Sequence, residues 1–450
     1  MRIDKLYLQN FRCYDDLEID FDKNMTLIVG ANGNGKTAIV DALAIALGPY
    51  LSAFGGKGRN INEKDVRKIK DAGSMGTERI LRMKSQYPVV IRVEGTDGWE
   101  NALEWKRELK TSRGRTTSTD ARQLSDYGKS LCNAVNSSGD EKVILPALAY
   151  YGTSRMWNDS KLLDTHKMVD LERSVGYEEC LEPSSSYNTF GQWFKYAVLS
   201  AAEFSRSLKE TNDDKENPYE MILTAVRQAI ATCLKSMGWS DINYSFALQG
   251  FVLYHPEIGE LTIEALSDGA RSVISMAADL AYRMVRLNPD LGSRAALDTP
   301  GIVFIDEVDM HLHPSWQQTV LLDLQQAFPS VQFIVTTHSP QVLSTVMPEK
   351  IRILEWGSNG FEVVRQPEFS LGAESYQLLK EIQNVETRPQ ALPIVKDLGR
   401  YLELLSEDKW DSEEAVTLRK RLDEWSKGRD PVLLRADMDI RMRSLRRKQK

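Results

Sequence analysis

One octapeptide and its flanks constrain this chain more than any other feature. Gly30-Ala31-Asn32-Gly33-Asn34-Gly35-Lys36-Thr37 fits the pattern G-x-x-x-x-G-K-[ST]; an apolar run, Asn24 to Val29, precedes it and a helical pattern, Thr37 to Leu47, follows. A buried strand that turns through glycines into an apolar-faced helix calls for an α/β core. It also makes the helix N-terminus an anion site, where backbone N–H groups of a glycine-rich loop close around phosphate oxygens. Gly30, Asn32, Gly33, Asn34, Gly35, Lys36, Thr37 and Ala38 are therefore the candidate nucleotide-binding residues. Lys36 supplies a point charge, and the Thr37 hydroxyl can take one position on Mg²⁺.

Three further elements follow in order. Leu266-Ser267-Asp268-Gly269-Ala270-Arg271-Ser272 precedes a long helical pattern, and Gly301-Ile302-Val303-Phe304-Ile305-Asp306-Glu307 is an apolar run ending in two acids. Such a strand places Asp306 to orient Mg²⁺ or its water, and Glu307 to take a proton from water attacking a γ-phosphate. Val331 to Thr337 reads as another strand and delivers His338 at its C-terminal end, where open α/β sheets bind ligands. The candidate catalytic residues are Glu307, His338 and Lys36, and the candidate metal ligands are Thr37 and Asp306.

On these residues the chain resembles the ABC-type ATPases that include RecF, SMC heads, Rad50 and the overcoming-lysogenization nucleases. Leu266 to Gly269 is similar to their LSGG signature with Asp268 in place of the first Gly. Asp309 with His311-Leu312-His313-Pro314 resembles their D-loop region, and His338 their switch histidine. The opening Leu6 to Arg12 is similar to their first strand, whose arginine, here Arg12, approaches the phosphates. The resemblance implies a P-loop NTPase head with a mixed central sheet, an antiparallel side sheet and a helical lobe. It also implies ATP and Mg²⁺ as cofactors, and a head-to-tail homodimer, with room for a higher oligomer, in which Ser267 and Gly269 contact the γ-phosphate held by the other chain. One departure stands out: the run Leu145 to Arg155 lacks the family's Q-loop glutamine, leaving Ser154 or Arg155 to face the metal instead.

At 450 residues the chain has room for two or three domains, at about 100–200 residues each. No apolar run approaches the roughly 18 residues of a membrane span, and the start enters a strand without a signal-peptide core, so a cytoplasmic protein is expected. Cys13, Cys132, Cys180 and Cys233 are scattered without a C-x-x-C and read as reduced, mostly buried thiols. The net charge of −7 excludes a uniformly basic nucleic-acid binder, but seven basic residues against two acids between Arg435 and Lys450 make a basic tail. That tail is either a solvated end, a contact for nucleic-acid phosphates, or a contact for an acidic protein surface.

The organisation expected is an N-terminal head portion (1–155), a helical lobe (156–260), a C-terminal head portion (261–365) and a helical, partner-binding C-terminal region (366–450). Val89 to Glu94 and Ala102 to Glu108 alternate at strand period and predict an antiparallel hairpin. Lys57, Arg59, Arg113 and Arg115, in mobile Gly/Ser/Thr-rich loops, are the head's best candidates for touching DNA. Helical periodicity runs from about Met156 to Tyr244, and the Trp193, Phe194, Tyr196 and Phe204 stripe reads as lobe core. That insertion is too short, and too poor in heptads, for an SMC-type coiled coil. His311 and His313 lack an evident third ligand for zinc.

After His338 a last strand and hairpin lead to two amphipathic helices, Ala391 to Ser406 and Ser412 to Lys427. Val432 to Asp439 imitates the Asp-x-Asp strand of a TOPRIM nuclease, but only 11 residues follow, so no built-in nuclease is expected. A head with a small helical appendage is similar to the ATPase subunits of Septu-type anti-phage systems, the PtuA proteins, including versions encoded beside retrons. Tyr150 to Arg155, Gln192 to Lys195, Thr336 to Pro340 and Arg429 to Arg443 carry this likeness. It implies an HNH nuclease partner (PtuB-like) and, in a retron setting, a reverse transcriptase with RNA-linked DNA. The other readings are a RecF-like repair ATPase acting on DNA and a slowly hydrolysing nucleotide-sensing scaffold.

Overall fold

The structure is a computed structural model that describes residues 1–71, 82–137, 143–153, 172–183, 187–211, 215–357 and 362–449. From the N-terminus, β1 (Arg2–Phe11) and β2 (Tyr14–Asp20) form an antiparallel pair, and β3 (Met25–Gly30) leads through the phosphate loop into the helix Lys36–Ala46. Next, β4 (Lys68–Asp71) and β5 (Arg82–Ser85) pair as a ribbon, and β6 (Val89–Thr96) and β7 (Ala102–Leu109) form the expected hairpin. The helix Arg122–Asn136 precedes β8 (Ala147–Tyr151). Two helices, Tyr187–Thr211 and Pro218–Leu234, come before β9 (Ser240–Ser245), β10 (Gly250–His255) and β11 (Gly259–Thr262). The helix Asp268–Leu287 then opens the second head portion, with β12 (Gly301–Ile305), β13 (Val331–Thr337), β14 (Ile351–Trp356) and β15 (Glu362–Arg365).

The central sheet has the order β15-β14-β3-β13-β12-β8, parallel except for β15 at its edge. Residues of β8, β12 and β13 are buried on both faces, which is why these strands read as continuous apolar runs and not as alternation. The register sets Val29 beside Thr337 and Ile305 beside Val335, so the loops after β3, β12 and β13 emerge along one edge. The side sheet β2-β1-β6-β7 is antiparallel, and β6 alternates buried with half-buried residues as a one-faced sheet should. Gln332 staples the two sheets: its amide accepts from the Ile3 N–H at 2.9 Å and donates to the carbonyls of Ile3 (2.6 Å) and Asp22 (2.9 Å). The α/β head with mixed central and antiparallel side sheets is thus the one expected.

The lobe differs from its sequence pattern. Helical periodicity suggests helix to Tyr244, yet residues 240–262 form the three-stranded sheet β11-β10-β9. The strands are short and two of them, β9 and β11, are mostly polar, so the segment carries little apolar signal; Phe251 and Tyr244 give this sheet its hold on the aromatic core of Phe190, Trp193, Phe194 and Tyr282. Trp193 and Phe194 are core, whereas Tyr196 faces outward. Cys180 and Cys233 are buried, which raises both thiols' pKa values, and Cys13 and Cys132 are half-buried; none of the four is in a disulfide.

The chain divides into two compact units, residues 1–378 and 379–450. The second is three helices, Pro393–Ser406, Glu413–Ser426 and Pro431–Gln449, packed through Leu398, Tyr401, Leu405, Leu422 and Leu433. The third helix takes up what reads in sequence as a Pro-terminated tail: Asp430 Oδ1 caps it, accepting from Val432 N–H at 3.0 Å, with Pro431 in the first turn, where a missing N–H costs nothing. Val432 to Asp439 is therefore helix, and Asp437 is spent on Arg419. Among the described residues no helix is long and apolar enough to cross a membrane.

Candidate nucleotide site

The loop is shaped by glycines and braced from beneath. Gly33 and Gly35 have φ of +89° and +80°, a region that side chains with Cβ avoid. A Cβ on Gly35 would lie 2.6 Å from the Tyr14 hydroxyl and would also overlap Cys13 Sγ. Tyr14 donates its O–H to the Asn34 carbonyl at 2.9 Å, and Asn34 Nδ2 donates to the Leu354 carbonyl at 2.8 Å. The Asn34 side chain is thus a buried brace to β14, leaving its backbone to the loop. Tyr14 and Leu354 are supports that no motif announces. Because strain and overlap coincide at Gly35, Gly35→Ala is expected to weaken ATP binding at least about tenfold, a loss of about 1.4 kcal/mol. Titration of a fluorescent ATP analogue checks this, and unchanged affinity would show that the loop yields.

No side chain caps the helix Lys36–Ala46, which leaves its N-terminal dipole to an anion. Lys36 Nζ donates to the carbonyls of Gly30 (2.9 Å) and Ala31 (3.2 Å), folding its charge along the loop. Ala38 follows, buried in the first turn; Asn32 and Gly33 are exposed at the loop's crest. From the facing strand, Asp306 Oδ2 accepts from Thr37 Oγ1 at 2.8 Å, Oδ1 accepts from Thr336 Oγ1 at 2.6 Å, and the Asp306 N–H donates to the Tyr151 carbonyl at 2.8 Å. The structure therefore brings Lys36, Thr37 and Asp306 to one place, across three neighbouring strands.

Glu307 has φ +50°, an unusual conformation for a residue with Cβ, and is held there by its N–H on Thr336 Oγ1 at 2.8 Å. The turn after it is stitched to the end of β13: Asp309 Oδ1 accepts from the Thr337 hydroxyl and from the His338 N–H at 3.3 Å. His338, half-buried, has a pKa below the ordinary 6.5, first through burial and then through the charge of Lys36, against raising contributions from Asp309, Glu307 and Asp306. It therefore stands within electrostatic reach of the loop lysine and both strand-end acids. The unfolded chain binds this proton more readily, so stability should rise with pH from the folded-state value up to about 6.5 and then level off. An NMR titration of the His338 ring, assigned with His338→Gln, should give a midpoint below 6.5; a midpoint above it would refute the placement.

Arg12, with φ +53°, sits in the turn between β1 and β2 and faces the phosphate-loop helix at Asp41. Its guanidinium pairs with Asp41 at 2.7 Å and with the buried Asp65 at 2.8 Å. Burial works against its charge, and the two carboxylates more than offset this and raise its pKa. Arg59 also pairs with Asp41, at 2.6 Å, and is mostly buried, while Lys57, Arg113 and Arg115 are exposed.

Ser267 is the N-cap of the helix Asp268–Leu287, its Oγ accepting from Ala270 N–H at 3.4 Å, and is exposed. Gly269 is buried beneath it; a Cβ there would overlap the carbonyl oxygen of His311, so the signature end sits directly on the turn that follows Glu307. His313 Nδ1 accepts from the Ser315 N–H at 3.3 Å. Ser154 and Arg155, the candidates for the missing glutamine, lie outside the described residues.

Comparison with known proteins follows this geometry. A family model described as an AAA domain matches residues 5–235, and a second AAA-domain model matches residues 198–344. The Retron Ec83 probable ATPase of Escherichia coli is 26% identical, aligned over 98% of this chain and 87% of its own. The Retron Vc95 probable ATPase of Vibrio cholerae is 25% identical over 92% and 87%. Septu protein PtuA of Bacillus mycoides is 24% identical over 78% of this chain and 40% of its own. Among solved structures, an SMC head domain derived from Pyrococcus furiosus covers 85% of this chain and 99% of its own at 18% identity, with a TM-score of 0.47. With one family model spanning more than half of it, this chain belongs to the AAA-domain family, and it is similar along nearly its whole length to two retron probable ATPases and over a smaller part to Septu PtuA.

Proposed function

We propose that this ATPase closes as a head-to-tail dimer around ATP and Mg²⁺, and that closure and hydrolysis control a separate HNH nuclease in an anti-phage system of the retron or Septu kind. The observation that carries the reading is the near end-to-end alignment with two retron ATPases. The Thr37 hydroxyl and Asp306 carboxylate, hard oxygen donors side by side, fit Mg²⁺, which keeps most of its waters and takes one or two protein oxygens. When bound, the ion offsets charge on the transferring phosphate. Lys36 and the loop amides hold the β- and γ-phosphates, Glu307 accepts the proton of the attacking water, and His338, neutral at pH 7, polarises the γ-phosphate side. Arg12 approaches the phosphates by leaving Asp41.

Ser267, exposed at the start of its helix, completes the site of the second chain together with Gly269. ATP then favours the closed dimer through the contacts that only the closed state makes. The all-helical unit 379–450 serves as the docking region, within the partner-binding portion expected from residue 366 onward. Tagged pull-down from the native operon, comparing wild type with Glu307→Gln, tests the reading. Recovery of an HNH nuclease supports it, with reverse transcriptase and RNA-linked DNA specifying the retron form. A local match to RecF, 32% identical over 24% of this chain, supports a DNA-binding alternative. That alternative predicts ATP-dependent, steeply salt-sensitive binding to DNA by the chain alone.

A further inference from the structure

A buried polar triad ties the signature helix Asp268–Leu287 to the central sheet partway along its length. Tyr151, the last residue of β8, donates its phenol O–H to Asp279 Oδ2 at 2.9 Å, and Arg283 Nε donates to the same oxygen at 2.8 Å. Arg283 reaches on to the carbonyls of Gly176 (3.0 Å) and Glu178 (2.8 Å). All three side chains are at least nine-tenths buried. The backbone of the same tyrosine faces the other way, its carbonyl accepting the N–H of Asp306 at 2.8 Å, while Asp306 Oδ2 accepts from Thr37. One residue therefore has its main chain on the backbone N–H of the strand-end Asp306 and its side chain on the helix whose first turn bears Ser267 and Gly269. Asp279 lies ~18 Å along that helix from Ser267, a rigid lever of about three turns.

We propose that Tyr151 is a positioning residue that sets the signature helix by reference to the Asp306 end of β12, so that Ser267 and Gly269, as presented to the opposite chain, follow the state of their own chain's magnesium site. Buried ion pairs cost desolvation and are poor sources of stability, whereas a fixed hydrogen-bonded geometry suits transmission between two rigid elements. The inference rests on the head-to-tail reading proposed above.

Tyr151→Phe keeps the ring and leaves Asp279 with Arg283. It should bind a fluorescent ATP analogue within twofold of wild type while kcat falls about tenfold, the factor that one hydrogen bond to a charged group supports. Asp279→Asn, which retains an oxygen acceptor for the phenol, should keep more of kcat than Tyr151→Phe. Mixing Tyr151→Phe chains with Glu307→Gln chains should raise turnover at least threefold over the mean of the two alone, because the Glu307→Gln chain lends a correctly held signature to an intact Glu307. Ser267→Ala mixed with Glu307→Gln is the parallel test of head-to-tail assembly. If that control recovers activity and the Tyr151→Phe mixture does not, the positioning role is overturned and the dimer reading stands; if neither recovers, both fall. Unchanged kcat in Tyr151→Phe, or loss of analogue binding, also overturns the role.

Discussion

Glu307→Gln will leave ATP bound and stop its turnover. The amide is isosteric with the carboxylate, and two of the contacts that hold the residue, its N–H on Thr336 Oγ1 and the turn stitched through Asp309, are made without its side chain. The capacity to accept a proton is lost, together with a negative charge that raises the His338 pKa. General-base catalysis contributes about 10²–10⁴-fold, so kcat should fall by that factor with analogue affinity unchanged or tighter. Single-turnover phosphate release measures it, and the head-to-tail reading further predicts that the variant elutes as a dimer with ATP and as a monomer without it. Residual hydrolysis within a few-fold of wild type would mean that another group serves as base.

Asp279→Ala is expected to carry the largest stability loss. Arg283 is 5% exposed, and with Asp279 gone its remaining described partners are the Gly176 and Glu178 carbonyls, neutral acceptors. Removing one partner of a buried ion pair strands the other charge, at about 3–5 kcal/mol. Guanidinium melts should show a matching fall in midpoint. The double variant Asp279→Ala/Arg283→Met should recover much of the loss, since the stranded charge is then absent and the coupling appears as non-additivity. Equal losses in single and double variants would show that packing, not charge, sets the cost.

The phosphate loop, the acid-ended strand and the histidine-ended strand are legible in sequence because each is local: a short continuous apolar run, then a glycine, an acid or a histidine at a fixed offset. The pieces that escape are those whose signal is dispersed. The sheet of residues 240–262 is made of short strands, two of them mostly polar, held by Phe251 and Tyr244, and the helix Arg122–Asn136 follows a loop rich in polar residues. The last helix is hidden behind Asp430-Pro431, which reads as a stop after the helix that ends at Ser426 but caps the next one.

By itself, then, the sequence determined the fold class and most of the candidate chemistry, since backbone conformation at a phosphate loop and the burial of parallel strands are dictated by nearest neighbours. Only the tertiary structure decided what those residues meet. Thr37 and Asp306, 269 positions apart, share a hydrogen bond because β3 and β12 flank β13 in one parallel sheet. Arg12 is claimed by Asp41 and Asp65, Arg59 by Asp41, and Tyr151 joins two elements through opposite ends of one residue. No local pattern encodes such pairings, because hydrogen bonds and ion pairs form between whichever groups the packed core leaves within about 3 Å, and that is set by the whole chain at once.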